Sequence, residues 1–403
     1  MQLSDLLSLW NDVRVRRIAI QVILLALVVF CFWWLISNTS QNLDKLNKSI
    51  GFDFLSQNAG FQIAPTLGTW LFSYEVGQST YWDVYLIGII NTLLVAVLGI
   101  MAATIIGFLI GIMRLSHNVI FRSFATVYIE LLRNIPLLLQ LFFWYFTVLR
   151  ALPDKRGKVD LIPGAVSVNL EGLFLPYPIW KSGVGYAGIV LLIAAITAFA
   201  MRMKSRTRQL MTGHPLPMWR ITGGIFAAAI LVILVSVGIP MEWSQPTFIE
   251  TGPILKQGFD KATAIMVIPE MLAVWFALTL YTAAFIAEIV RSGILAVNKG
   301  QTEAANALGL SKPQTLRLVV IPQAMRVIVP PLTSQYLNLT KNSSLAVAIA
   351  YPELVSIFAG TAMNQVGKEI EMFFMMMVVY LTFSILTSIF MNWFNHRSKL
   401  VER

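Results

Sequence analysis

The chain has 403 residues, of which 57% are hydrophobic and 12% charged, and its mean hydropathy is +0.71. A soluble chain carries about 25% charged residues, so this one has too few charges to cover a water-facing surface. Disordered, collagen-like and disulfide-scaffold classes fall with the soluble one. The net charge of +10 comes from 30 basic against 20 acidic residues. The basic residues lie mostly in short loops between apolar runs, which fits a membrane protein rather than a nucleic-acid binder. The single cysteine, Cys31, sits inside an apolar run and excludes an intrachain disulfide.

A helix needs about 20 apolar residues to cross the hydrocarbon core. Eight runs qualify in chain order: 18–36, 85–113, 135–149, 184–201, 221–239, 264–287, 327–350 and 372–394. The third is short and the seventh is interrupted. The first follows acidic Asp5 and Asp12, and no small-residue cleavage site comes after Trp33-Trp34, so it reads as a retained anchor. Eight spans put both termini on one side. The loops 1–17, 114–134, 202–220, 288–326 and 395–403 on that side hold 19 of the 30 basic residues. The segment 202–220 alone has Arg202, Lys204, Arg206, Arg208 and Arg220 and no acid. The opposite loops hold 10 basic and 13 acidic residues. Positive-inside then predicts cytoplasmic termini, with Lys155, Arg156 and Lys158 as the cluster that runs against it. Trp33, Trp34, Trp243 and Trp393 fall near span ends, as interfacial rings do. The segment 37–84 reads as an external loop with one short interfacial helix. Pro153, Pro163, Pro176 and Pro178 argue against a long helix in 152–183.

No catalytic chemistry is legible. Gly157-Lys158 and Gly367-Lys368 are followed by Val159 and Glu369, so neither is a phosphate loop. His117, His214 and His396 are far apart, and no metal site is expected. No Ser stands in a Gly-x-Ser-x-Gly turn. Energy for any work has to come from a partner or a gradient.

The most informative stretch is Gly300-Gln301-Thr302-Glu303-Ala304-Ala305-Asn306-Ala307-Leu308-Gly309, followed by Leu310-Ser311-Lys312-Pro313-Gln314. It reads as two short helices at an angle. Gly309 can end the first in the left-handed conformation. Ser311 and Gln314 can box the second, with Pro313 in its first turn. Ala304, Ala305 and Ala307 permit close approach to another surface, although composition alone fits an amphipathic connector equally well.

Glu303-Ala304-Ala305, Gly309 and Ile321-Pro322 resemble the EAA loop of binding-protein-dependent ABC importer permeases. Val320-Ile321-Pro322-Gln323-Ala324 and Arg326 are similar to the polar amino-acid branch, whose substrates include histidine, glutamine, arginine and glutamate. The run from Glu130 through Arg133, Asn134, Pro136 and Gln140 to Leu141 resembles that branch's second block, and Gly88-Ile89-Ile90-Asn91-Thr92-Leu93 its opening. The long insertion and Gly51-Phe52-Asp53-Phe54-Leu55 look like the general L-amino-acid permeases of Gram-negative bacteria.

The resemblance implies an all-α polytopic membrane protein of about eight spans around a type I ABC importer permease core of five: 85–113, 135–149, 264–287, 327–350 and 372–394. It divides the chain into an anchor and periplasmic loop (1–84), a first core part (85–150), an insertion with two extra helices (151–262), a second core part (263–395) with the coupling loop 300–324, and a tail (396–403). The implied partners are a second permease, two copies of an ATPase that carries the ATP and Mg, a periplasmic binding protein, membrane lipid and an L-amino acid, with no nucleic acid. The chain would be no enzyme, would need no cofactor of its own, and would lie in the bacterial inner membrane. Glu303, Ala304, Ala305 and Gly309 would couple it to the ATPase.

Polar groups inside a membrane are costly and mark functional candidates. Thr340, Lys341, Asn342, Ser343 and Ser344 fall within the span 327–350, which Pro330 and Pro331 weaken at its start. They read either as an interrupted helix beside a transport path, with Gln140 as a further path residue, or as a buried structural pair. Glu288 and Arg133 are partner candidates at the cytoplasmic end. Glu130 and Arg133, three apart, read as a structural pair. Gly107 and Gly111 allow a close helix contact, and Met375-Met376-Met377 reads as lipid-facing or core filling. A gradient-driven secondary amino-acid transporter is the alternative, although only one broken helix is visible where paired ones are expected. A scaffold would leave the Glu303 loop and Lys341 without a purpose.

Overall fold

The computed structural model describes residues 13–45, 51–214, 216–251, 253 and 257–398. Asp5, Asp12 and most of the tail 396–403 lie outside the described residues. Among those described, seven helices are long and apolar enough to cross a membrane, or eight if one sharply bent pair is a single span. They match the eight runs read from sequence.

The apolar residues of the anchor α1 (Val13–Lys45) are exposed along nearly its whole length. Surface of this kind is stable only in lipid or against another protein. Helix α2 (Tyr81–Arg114) starts at Thr80, whose backbone N–H donates to Asp83 at 2.8 Å. Helix α3 (Val119–Asn134) starts on the Asn118 side chain, which accepts from the Ile120 N–H at 2.9 Å. The chain then bends by 106° into α4 (Leu137–Phe142), which continues through non-α turns to Ala151. Ile135 before Pro136 is extended, as the proline ring demands. Most of the connection 114–134 between the spans is thus helix, and it includes Glu130 and Arg133.

The core is formed by α2 against α7 (Pro269–Leu295), with α10 (Ile321–Asn342) and α11 (Glu369–Ser398) closing it. Gly107 and Gly111 explain the closeness of α2 and α7. A Cβ on Gly107 would stand 2.6 Å from Ile286 side-chain atoms, and one on Gly111 2.7 Å from the Ala287 carbonyl. The Gly-xxx-Gly spacing is therefore a packing device in this chain. Met375 and Met376 are buried and Met377 is exposed, so that run divides between core and surface. The span expected at 264–287 begins only at Pro269, because Ile265–Val267 forms a strand.

Between the core halves stand α5 (Val184–Thr212) and α6 (Met218–Ser236), which pack on each other. The flanking segments, read only as non-helical, form small antiparallel sheets. One has β1 (Val159–Ile162), β2 (Val166–Asn169), β3 (Gly172–Leu175) and β8 (Ile265–Val267) in that order. Phe174 and Phe259 stack beneath it at 4.1 Å. Two two-stranded ribbons join β4 (Pro178–Trp180) to β5 (Met241–Trp243), and β6 (Phe248–Ile249) to β7 (Gly258–Phe259). The helical fold class stands, with this sheet added to it.

Candidate coupling site and membrane polar residues

Helix α8 (Lys299–Ala307) is capped by Asn298, whose side chain accepts from the Gly300 N–H at 2.8 Å. Its exit is a Schellman turn: Leu310 N–H donates to the Ala305 carbonyl at 3.1 Å and Gly309 N–H to that of Asn306 at 2.9 Å. Gly309 has φ +76°, as its sequence position predicted. Glu303, Ala304, Ala307 and Leu308 are exposed, whereas Ala305 is 3% exposed. Ala305 thus seats α8 on its own chain, beside the turn Leu316–Val320, and this corrects its expected place on a docking face. Gln323 Nε2 donates to Gln301 Oε1 at 3.0 Å and ties α8 to the base of α10.

After Gly309 the second helix starts at Ser311 as expected, but it does not end as a separate short helix. Gln314 Oε1 accepts from the Ser311 N–H at 2.9 Å, α9 (Lys312–Thr315) begins, and the helical chain runs on through a π-turn into α10. A continuous helical segment therefore joins the turn after α8 to the base of a membrane span.

In α10, Pro330 and Pro331 lie inside the helix rather than at its start. The helix changes to a 3₁₀ turn at Ser343–Ile349 and stops at Ala350, whose φ is +58°. The interruption expected here is this tightening. Thr340 and Ser343 are buried and bond the carbonyls of Tyr336 and Thr340 at 3.0 and 2.7 Å. They therefore face the fold. Lys341 is exposed, and Asn342 is half-buried. Ser334 and Asn338 are exposed as well. At spacings of four and three, Ser334, Asn338 and Lys341 form one polar stripe along α10. The sequence reading found Lys341 but missed the other two, which the i, i+4, i+7 pattern could have supplied.

The charge pairing differs from expectation. Arg114, counted before only as a loop cation, is its centre: Nη1 reaches Glu288 at 2.6 Å and Nη2 reaches Glu130 at 3.2 Å. Glu288 also holds Arg291 at 2.6 Å. Glu130 and Arg133 do not pair, and Arg133 lies over the Phe285 ring at 5.1 Å. Neither Glu288 nor Arg133 pairs with Lys341 among the described residues. Arg114, at the end of α2, meets Glu130 on α3 because a short turn folds α3 back beside it. Gln140 is buried, and its Nε2 donates to the carbonyls of Leu132 and Ile135 at 2.8 and 2.9 Å. It thus replaces helix bonds lost at the 106° bend.

The opening block has a physical role too. Gly88 touches the Leu354 backbone so closely that a Cβ would stand 2.8 Å from its Cα. Asn91 Nδ2 donates to the Pro352 carbonyl at 2.7 Å, and Thr92 Oγ1 accepts from the Leu354 N–H at 3.1 Å. Buried Glu353 accepts from the N–H groups of Val355 and Ser356 and from the Tyr380 hydroxyl. The segment after Ala350, expected as an external loop, is packed core: Tyr351, Leu354 and Phe358 are fully buried.

Residues 216–400 match the family of binding-protein-dependent transport system inner membrane components. The chain is 47% identical over 397 residues to a general L-amino acid transport system permease protein, AapQ, of Rhizobium johnstonii, covering 98% of this chain and 95% of that one. It is 44% identical to a putative amino-acid ABC transporter permease, YhdX, of Escherichia coli, covering 96% and 95%. It is 38% identical to the glutamate/glutamine/aspartate/asparagine transport system permease BztB of Rhodobacter capsulatus, covering 97% and 96%. Likeness at this level over nearly the whole length sets aside the gradient-driven alternative. The chain belongs to the inner-membrane permeases of binding-protein-dependent ABC importers, in their polar amino-acid branch, and is a multi-pass permease subunit whose ATPase is a separate protein.

Proposed function

We propose that the chain carries L-amino acids across the bacterial inner membrane, along a path that includes the exposed polar stripe Ser334, Asn338 and Lys341. The observation that carries this is the stripe itself: three polar side chains exposed along a membrane span. Such residues are costly against lipid and suit water, a polar solute or a partner permease. The names of the relatives support amino acids as the solute. In this reading a second homologous permease faces the stripe, a periplasmic protein delivers the substrate, and two ATPase copies supply the energy with their own ATP and Mg. The termini are cytoplasmic, as the charge distribution supports. Helix α8 fits a coupling role, being short, exposed along Glu303, Ala304 and Ala307, and joined to α10.

Replacement of Asn338 and Lys341 by Leu tests the path. Amino-acid uptake should fall at least tenfold while the assembled complex purifies at normal yield. Normal uptake from both variants would overturn the path reading, and loss of assembly would make the stripe an interface only.

A further inference from the structure

Helices α5 and α6 do more than cross the membrane. At their linked ends they form a cleft of about 620 Å³ lined by Arg202, Ser205, Arg206, Gln209, Trp219 and Thr222, among others. Arg202, Arg206 and Gln209 lie on one face of α5, at spacings of four and three. The wall is built rather than incidental. Buried Ser205 accepts from the Leu216 N–H at 3.2 Å and so folds the linker back over α5, which ends at Gly213 with φ +72°. Across the cleft, a Cβ on Gly223 would meet nothing within 4 Å.

Among the described residues no acid answers the charge of this cleft. No Asp or Glu occurs between Glu171 and Glu242. Among the described residues neither Arg202 nor Arg206 forms an ion pair. The apolar groups that line the cleft beside the cations are Leu216, Met218 and Trp219, the last strongly exposed with the Arg220 guanidinium 5.0 Å from its ring. Guanidinium forks bind phosphate oxygens in pairs, and an exposed indole next to them favours the boundary between headgroups and acyl chains. A soluble anion would use the cations and leave the apolar rim in water.

We propose that the cleft between α5 and α6 is a binding site for the phosphate headgroup of an anionic phospholipid, with Arg202 and Arg206 as its ligands and Met218 and Trp219 at the boundary with the acyl chains. The site needs no residue of α8 or α10 and stands apart from the transport path.

The test is lipid retention by the full-length chain purified in mild detergent, read by native mass spectrometry after addition of phosphatidylglycerol, phosphatidylcholine or inorganic phosphate. Phosphatidylglycerol should be retained over phosphatidylcholine. Each basic residue near a charged membrane surface contributes about fivefold, so Arg202→Gln with Arg206→Gln should weaken phosphatidylglycerol binding about 25-fold. Arg122→Gln, an exposed cation outside the cleft, should leave it unchanged. The Arg202→Lys, Arg206→Lys pair keeps the charge but not the guanidinium forks and should bind between the parent and the glutamine pair. Equal retention by parent and glutamine variant would overturn the proposal. So would phosphatidylcholine bound as well as phosphatidylglycerol. Displacement of the lipid by millimolar inorganic phosphate would make the cleft a free-anion site instead.

Discussion

Gly309 has a positive φ and nothing within 4 Å of where its Cβ would stand. Its constraint is therefore purely conformational, and two substitutions separate this from bulk. Asn tolerates the left-handed region, whereas a β-branched residue does not. Gly309→Val should destabilise the turn by about 2 kcal/mol, re-aim Ser311 and α9, and reduce ATPase co-purification and uptake together. Gly309→Asn should keep both near parent levels. Equal behaviour of the two variants would make the Gly300–Gln314 stretch a simple connector. At Gly107 the constraint is reversed: the backbone is ordinary helix and the space is missing. Gly107→Leu overpacks the α2–α7 contact and should cost about 1–3 kcal/mol. Gly224→Ala, where a Cβ meets nothing, should be neutral or stabilising by up to about 1 kcal/mol. Thermal unfolding in detergent orders the two. The same measurement tests Arg114. Arg114→Met leaves half-buried Glu288 with one cation fewer and should cost about 1.5 kcal/mol, while Glu130→Gln, at the exposed end of the pair, should cost about 0.5 kcal/mol.

At the scale of elements, the useful unit is α8 with α9 and α10. Ala305 is buried on its own chain, so a bulky residue there would damage the seat of the helix, and a loss of coupling would say nothing about docking. Ala304 is the informative position because it is exposed. Ala304→Trp should abolish ATPase co-purification while leaving α8 helical and the protein in the membrane. Full co-purification from this variant would remove α8 from the docking surface. Glu303→Ala should weaken coupling without loss of helix, since alanine is the better helix former. The continuity of α9 into α10 gives these substitutions their reach: displacement of α8 moves a span that carries Lys341 some turns away.

For the whole molecule, eight spans with cytoplasmic termini make a prediction for the side of every loop. Reporter fusions after residues 60 and 250 should report periplasm, and fusions after 210 and 310 cytoplasm. The alternative outcome at 250 would reverse the inserted pair and put the cleft of α5 and α6 on the outer leaflet. The chain has no phosphate loop, so the purified subunit should not hydrolyse ATP, whereas the assembled complex should.

What the sequence determined by itself follows from local rules and counting. The eight runs, the turn at Gly309 and the non-helical proline segments depend on apolar length, backbone freedom and missing N–H groups, each a property of a few neighbouring residues. The family resemblance was legible for the same reason, because its motifs are contiguous. Only the tertiary structure decided which long-range partners meet. Arg114 rather than Arg133 takes Glu130 and Glu288, since helix ends far apart in sequence converge there. Gln140 braces a bend whose angle no local pattern gives. Thr340 and Ser343 turn into the fold while Lys341 turns out, and which side of α10 is covered depends on where α7 and α11 pack. The apolar stretch from Tyr351 reads as a loop because it lacks a span's length. It is buried because Gly88, Asn91 and Thr92, some 260 residues earlier, leave room for its backbone and bond it.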